Sequence, residues 1–230
     1  MTTTDLETAT ETELLLRVDG ARPPSAETAA AMNTLCDRAE DAASPAAVVL
    51  LLSGTPELPW PAATGVQVVN KWERAVRRLE RLEAVTVAIA EGDCGGLALD
   101  VLLATDFRLA TADVRLVMAD HDGAGWPGMA LYRLVQQVGA ARARRPALFG
   151  GTIPGSEGLD LHLIDEIVGD VPNGIGRAHQ VAASRRGTEL AIRRRLLEEA
   201  STATFEDALG RHLAACDRLL RRRTQKEGTL

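Results

Sequence analysis

At 230 residues the chain is long enough for one large α/β domain or two small ones. A 46% hydrophobic share allows a real core, and with 3% aromatic residues that core must be aliphatic. A formal charge of -6 excludes a general nucleic-acid binder, whose phosphate contacts need clustered positive surface. The Arg runs at Arg142–Arg145 and Arg221–Arg223 are local exceptions and read as solvated helix faces.

In chain order, ELLLRVDG predicts a first strand, and SAETAAAMNTLCDRAED a helix with Ser25 as its N-cap. AAVVLLLSG is apolar without alternation, as a strand covered on both faces would be. After the Pro-rich loop TPELPWPAATG comes a helix with Val69, Trp72, Val76 and Leu79 on one stripe. VTVAIA predicts a second buried strand and GGLALDVLLAT the helix behind it. FRLAT and RLVM are short strands flanking Ala112-Asp113, expected to form a turn or a small local pairing. PGMALYRLVQQVG and ARARRPALFGG read as two helices, followed by a short element near GSEGLDL and a last short strand in HLIDEIV. Helices close the chain; in the final one Leu209, Leu213, Cys216 and Leu220 recur at i, i+4, i+7 and i+11, and Thr204 with Asp207 resembles a capping box. Strands alternating with helices imply crossovers and a parallel sheet.

Cys36, Cys94 and Cys216 form no C-x-x-C pair, which predicts neither a zinc site nor a disulfide framework. The polar, acidic start MTTTDLETAT is unlike a signal peptide, and no apolar run approaches the ~20 residues of a membrane span. The expectation is a cytoplasmic protein without membrane or nucleic-acid partners.

The stretch EGDCGGLALD poses the functional question. A carboxylate, Asp100, sits among Leu97, Leu99, Val101, Leu102 and Leu103, where an unpaired charge is costly. It is therefore either a paired structural acid or a working one. The glycines ahead of it fit neither G-x-G-x-x-G nor G-x-x-x-x-G-K-[ST], and G-x-S-x-G is absent. A tight turn that packs through glycine and an oxyanion hole built from helix-start N–H groups both fit. Cys94 reads as a small buried hydrophobe and Asp106 as a tie at the sheet end. His162, His179 and His212 show no ligand spacing.

The longer run GDCGGLALDVLLATDFRLATADVRLVMADHDGAGWPG resembles the signature of the crotonase (enoyl-CoA hydratase/isomerase) superfamily. There a strand leads into G-x-x-x-G-G-G-x-E-L-A, then an Asp followed by R-x-A, then A-x-F-x-x-P-E and a Gly-x-x-Pro-Gly turn. The match is ungapped from Gly92 through Asp106, Arg108 and Ala110 to Asp120 and Pro127-Gly128. LFGGTIPGSEGLDLHLIDEIVGD resembles the family's l-t-G-x-x-i-x-A-x-E-A-x-x-x-G-L-V-d-x-v-v.

The resemblance implies an α/β protein with the crotonase (ClpP/crotonase-like) fold of repeated ββα units. It further implies a core domain over 1–170 and a helical region over 171–230 for packing and trimerisation. It puts Asp100 and Asp120 at the two catalytic carboxylates and the N–H of Leu97 at the helix-start oxyanion position. The second oxyanion donor is expected within Ala62 to Gly65, at Ala63, and Gly95 and Gly96 are expected to line the pocket. His121 reads as a pocket residue or part of a surface turn, and Trp126 as a pocket wall or an ordinary core Trp. No cofactor is bound permanently; coenzyme A enters as part of the thioester substrate. Departures from the pattern are informative. Both acids are Asp rather than Glu, shortening each reach by about 1.5 Å, the glycine triplet has become Gly96-Leu97-Ala98, and PWPAATGVQ replaces a longer loop carrying [SA]-x-G-x-D-L.

Within the superfamily, NKWERAVRRLERLEAVTVAIAEGDCGG, WPGMALYRL and TELAIRRRLL are most similar to a short branch from dihydroxyphenylglycine biosynthesis. That branch acts beside a type III polyketide synthase and a second crotonase homologue in glycopeptide-antibiotic pathways. The implied role is dehydration, and so aromatisation, of a cyclised polyketide CoA thioester to 3,5-dihydroxyphenylacetyl-CoA, by a homotrimer or hexamer. Two alternatives stay open: a non-catalytic crotonase partner of the synthase or of its sister homologue, and a thioester hydrolase.

Overall fold

The computed structural model describes residues 14–42, 47–57, 64–118, 120–121, 124–125, 128–184 and 188–227. Its elements follow the chain as β1 (Leu14–Asp19), α1 (Ala26–Asp41), β2 (Val48–Gly54), α2 (Val66–Glu80), β3 (Thr86–Gly95), α3 (Gly96–Leu102), β4 (Phe107–Thr111) and β5 (Arg115–Met118). Two short strands, β6 (Asp120–His121) and β7 (Ala124–Gly125), lead to α4 (Met129–Phe149), β8 (Gly151–Pro154), α5 (Gly155–Asp160) and β9 (Glu166–Val168). Helices α6 (Val171–Ala183), α7 (Thr188–Ala200) and α8 (Phe205–Glu227) complete the described chain.

The main sheet runs β1-β2-β3-β4-β9, with all neighbours parallel. Parallel strands need crossover helices, which cover both faces and explain why β2 is apolar without a break. Its residues divide by the two-residue period of a strand. Val48, Leu50 and Leu52 join a core cluster with Met32, Leu35 and Cys36 of α1, Trp72, Val76 and Leu79 of α2, and Leu97 and Val101 of α3. Val49 and Leu51 turn the other way, to Val87, Ile89, Leu109 and to Ala178 and Ala182 of α6. Helix α6 is thus a cover for the second sheet face.

The expected Ser25 cap is present as a full capping box: Ser25 Oγ accepts from the Thr28 N–H at 3.0 Å, and Thr28 Oγ1 accepts from the Ser25 N–H at 2.9 Å. The helices expected at PGMALYRLVQQVG and ARARRPALFGG run together as α4, broken at Gly139, whose φ of 78° is non-helical. At Thr204, Oγ1 donates to Asp207 Oδ2 at 2.9 Å and accepts from the Asp207 N–H at 3.2 Å, closing the first turn of α8.

Ala112 and Asp113 form the expected turn, with the Val114 N–H donating to the Thr111 carbonyl at 3.1 Å. The alternative of a local pairing is corrected: FRLAT and RLVM do not pair with each other. Both lie parallel to β3 at different heights: β4 pairs with Val87–Ala90, β5 with Asp93–Gly95. Strand β3 is long enough to serve both because EGDCG continues it to Gly95. Strand β5 then takes β8 antiparallel on its far side. Among the described residues no helix is long and apolar enough to cross a membrane.

Candidate active site

Strand β3 delivers the chain straight into α3, and the ends of β1 and β2 close on that junction. Glycine is required there by proximity. A Cβ on Gly20 would stand 2.2 Å from the Gly95 carbonyl and 2.4 Å from that of Gly54; one on Gly96, where φ is 49°, would stand 2.5 Å from the Gly20 carbonyl. Gly95 faces Thr55 and the Val117 carbonyl, and Gly96 faces Gly20 and Pro56. Leu97 follows in the first turn of α3, fully buried, where backbone N–H groups have no partner inside the helix. Thr55 Oγ1, packed beside Gly95, is buried without a hydrogen bond.

Asp100 lies one turn further along α3 and is only 2% exposed. Trp72 of α2 donates its indole N–H to Asp100 Oδ2 at 3.3 Å. Asp100 Oδ1 has no hydrogen-bond partner; the nearest cation, Arg133 Nη1 of α4, is 3.9 Å away, close enough to attract and too far to bond. Arg133 is engaged elsewhere. Its Nε donates to Glu80 Oε1 at 2.6 Å and its Nη1 to Glu73 Oε2 at 3.4 Å, both acids of α2. Arg77 also reaches Glu80, at 2.8 Å.

Three acids therefore share one deeply buried guanidinium, and the electrostatics follow. Burial, then the neighbouring Glu73 carboxylate, push Asp100 up to about 7, against smaller opposing effects of Arg133, the Trp72 N–H and the Ala130 backbone. Burial likewise raises Glu73 above the usual carboxylate range. An aspartate with a midpoint near neutrality can either hold or release a proton at working pH, which is what acid–base chemistry requires.

Among the other expected site residues, Asp120 and His121 form β6, paired antiparallel with Gly125 and Ala124. Ala63 and Trp126 fall outside the described residues. Cys94 is wholly buried, its thiol pushed up to about 12 by burial alone, consistent with a packing role. Asp106 ties the sheet end, Oδ2 accepting from the Thr86 N–H at 2.9 Å and from its hydroxyl at 3.0 Å. No group of three or more His, Cys, Asp or Glu among the described residues is arranged to hold a metal ion.

The sequence reading missed Glu73 and Arg133. A signal existed for Arg133, which occupies the buried stripe of α4 with Ala130, Leu134 and Val138, a position where a charge needs a partner.

No family model matches the chain. An enoyl-CoA-hydratase of Amycolatopsis orientalis is 49% identical over 210 residues, which make up 91% of this chain and 97% of that protein. The chain belongs to the enoyl-CoA hydratase (crotonase) family. An ethylmalonyl-CoA decarboxylase of Danio rerio is 30% identical over 117 residues, 50% of this chain and 38% of that one. Solved crotonase-family structures share the fold. An enoyl-CoA hydrotase/isomerase family protein of Silicibacter pomeroyi superposes with a TM-score of 0.77 at 17% identity, over 93% of this chain and 97% of that one. An enoyl-CoA hydratase/isomerase of Marinobacter aquaeolei gives 0.75 at 16% identity, over 91% and 89%. The expected crotonase fold, parallel sheet and helical C-terminal region included, is the fold of this protein.

Proposed function

We propose that this crotonase homologue acts on a CoA thioester as a hydratase run in the dehydrating direction. The observation that carries the reading is Asp100: an acid at the family's first carboxylate position, buried beside α3's start, with a midpoint near neutrality. In the neutral form it delivers a proton to the hydroxyl leaving Cβ. Asp120, as carboxylate, takes the proton from Cα. The electron pair of that C–H bond moves toward the thioester oxygen, giving an enolate held by the N–H of Leu97 and a second donor in the 62–65 loop, at Ala63. Collapse of the enolate forms the C=C bond as the protonated hydroxyl departs as water. Gly95, Gly96, His121 and Trp126 border this chemistry.

The substrate in this proposal is a cyclised polyketide CoA thioester, whose dehydration yields the aromatic 3,5-dihydroxyphenylacetyl-CoA of glycopeptide-antibiotic biosynthesis. The working partners are a type III polyketide synthase and a second crotonase homologue, and the protein works in the cytoplasm as a homotrimer or hexamer. Support comes from the segments resembling the dihydroxyphenylglycine branch. Residues 1–170 carry the chemistry and 171–230 the assembly contacts.

The test is product analysis with the synthase and malonyl-CoA. The double variant Asp100→Asn/Asp120→Asn is expected to lower aromatic product at least 100-fold with the fold intact; equal stimulation by variant and wild type refutes the mechanism.

A second reading, a non-catalytic partner of the synthase or its sister, is favoured by one feature: Asp100 is sealed by Trp72 and the Arg133 cluster as a structural acid would be. Undiminished stimulation by the double variant, with retention of the sister protein in a pulldown, supports that reading.

A further inference from the structure

The acid cluster between α2, α3 and α4 holds two carboxylates, Glu73 and Glu80, that the proposed chemistry does not use. Arg133 Nη1 faces both Asp100 Oδ1 and Glu73 Oε2, but it donates a hydrogen bond only to the latter. Glu80 occupies the other edge of the same guanidinium through Nε, and Arg77 meets Glu80 from outside. With Glu73, Glu80 and Asp100 all ionised, the cluster would carry more negative charge than Arg133 and Arg77 neutralise, because Arg77 also faces Glu198 Oε2 of α7 at 3.5 Å. Burial makes that surplus costly, and one retained proton reduces it.

The geometry says where the proton goes. Glu80 has a short charge-assisted bond at 2.6 Å, Glu73 has a longer one, and Asp100 Oδ1 has none. Asp100 is also the most buried, its side chain 2% exposed against 19% for Glu73.

We infer that Asp100 and Glu73 share one proton across Arg133, with Glu73 the positioning residue whose charge keeps that proton on Asp100. The inference deepens the proposed function, because it explains how a buried aspartate stays neutral enough to act as an acid. The charged groups bearing on Asp100 are Glu73 and, through Arg133, Glu80 from α2, and Arg133 itself from α4. The strands packed on α3 bring it no ion pair among the described residues. When Asp100 loses its proton, Arg133 already stands beside the new carboxylate, and Glu73, the more exposed acid, can take up a proton in exchange.

The test is a carboxyl-carbon NMR titration of protein labelled at Asp and Glu, with the Asp100 signal assigned by its loss in Asp100→Asn. Wild-type Asp100 is expected to titrate near pH 7. Glu73→Gln, nearly isosteric, removes the like charge and should move the midpoint about 1 pH unit toward acid. Glu73→Asp, which keeps the charge, should leave it near the wild-type value. The alkaline limb of the pH profile for aromatic product should move with the titration. An Asp100 midpoint that is the same in wild type and Glu73→Gln overturns the inference, as does a wild-type Asp100 already ionised at pH 5. A midpoint that moves in a protein without turnover upholds the shared proton and removes only the catalytic reading. Turnover with an unmoved midpoint does the reverse.

Discussion

Asp100 is a buried carboxyl whose environment works against ionisation, and this ties stability to pH. Its folded midpoint, about 7, lies above the ordinary value of 3.8. The folded state therefore holds the proton more tightly than the unfolded chain does. The resulting stabilisation is complete below the unfolded midpoint and is lost as pH rises through about 7. Asp100→Asn, neutral throughout, escapes that loss. Relative to wild type it should gain on the order of 4 kcal/mol between pH 4 and pH 8. Denaturant unfolding at the two pH values checks this; an equal difference at both would show that Asp100 is ionised in the folded protein. That Asp100 is out of place was legible from its leucine neighbours alone. Its partners were not, because Trp72 and Arg133 arrive on helices 28 and 33 positions away, and only tertiary packing makes them neighbours. The pattern did carry a trace of them, since an Arg on the apolar stripe of α4 demands an acid nearby.

Helices were readable from their apolar stripes and buried strands from their unbroken apolar runs; their pairing was not. Strands β4 and β5 are adjacent in sequence and both attach to β3, one to its first half and one to its second. Parallel pairing joins distant residues, so no local pattern announces it. Helix α7 shows the same limit. Its Arg194 reaches back to Asp106, with Nε to Oδ1 at 2.5 Å and Nη2 to Oδ2 at 2.6 Å. It also donates to the carbonyls of Glu80, Leu82 and Ala84, which end α2 and lead into β3. One side chain thus closes the carbonyl end of a helix and clamps α7 to the sheet. Arg194→Ala should cost about 3 kcal/mol, because it leaves a part-buried carboxylate with one partner fewer and several carbonyls without a donor. Hydrogen exchange should then quicken through α7 while the sheet stays protected; protection lost evenly across the molecule would mean that α7 and the sheet unfold as one unit.

At the scale of the whole molecule, the C-terminal helices leave apolar surface uncovered. On α8, Phe205 is 76%, Leu209 42% and Leu213 57% exposed. The amphipathic repeat of that helix was legible in the sequence, but whether its apolar side faces the core or another subunit was not. The proposed trimer gives this stripe a partner. Leu209→Glu with Leu213→Glu should then shift the protein to monomers without loss of helicity, as read by sedimentation and circular dichroism. A wild type already monomeric at micromolar concentration would remove the trimer from the proposal.

The meeting of Gly20, Gly54, Gly95 and Gly96, backbone against backbone, has a consequence for descent. Where main chains touch there is no side chain to exchange, and any larger residue must push strands apart. Lineages from this ancestor could not alter the site by point substitution at that junction. Their variation would gather instead on the facing sides of α2 and α4, where Trp72, Glu73 and Arg133 would have to change in concert, since removing one partner leaves a buried charge unpaired.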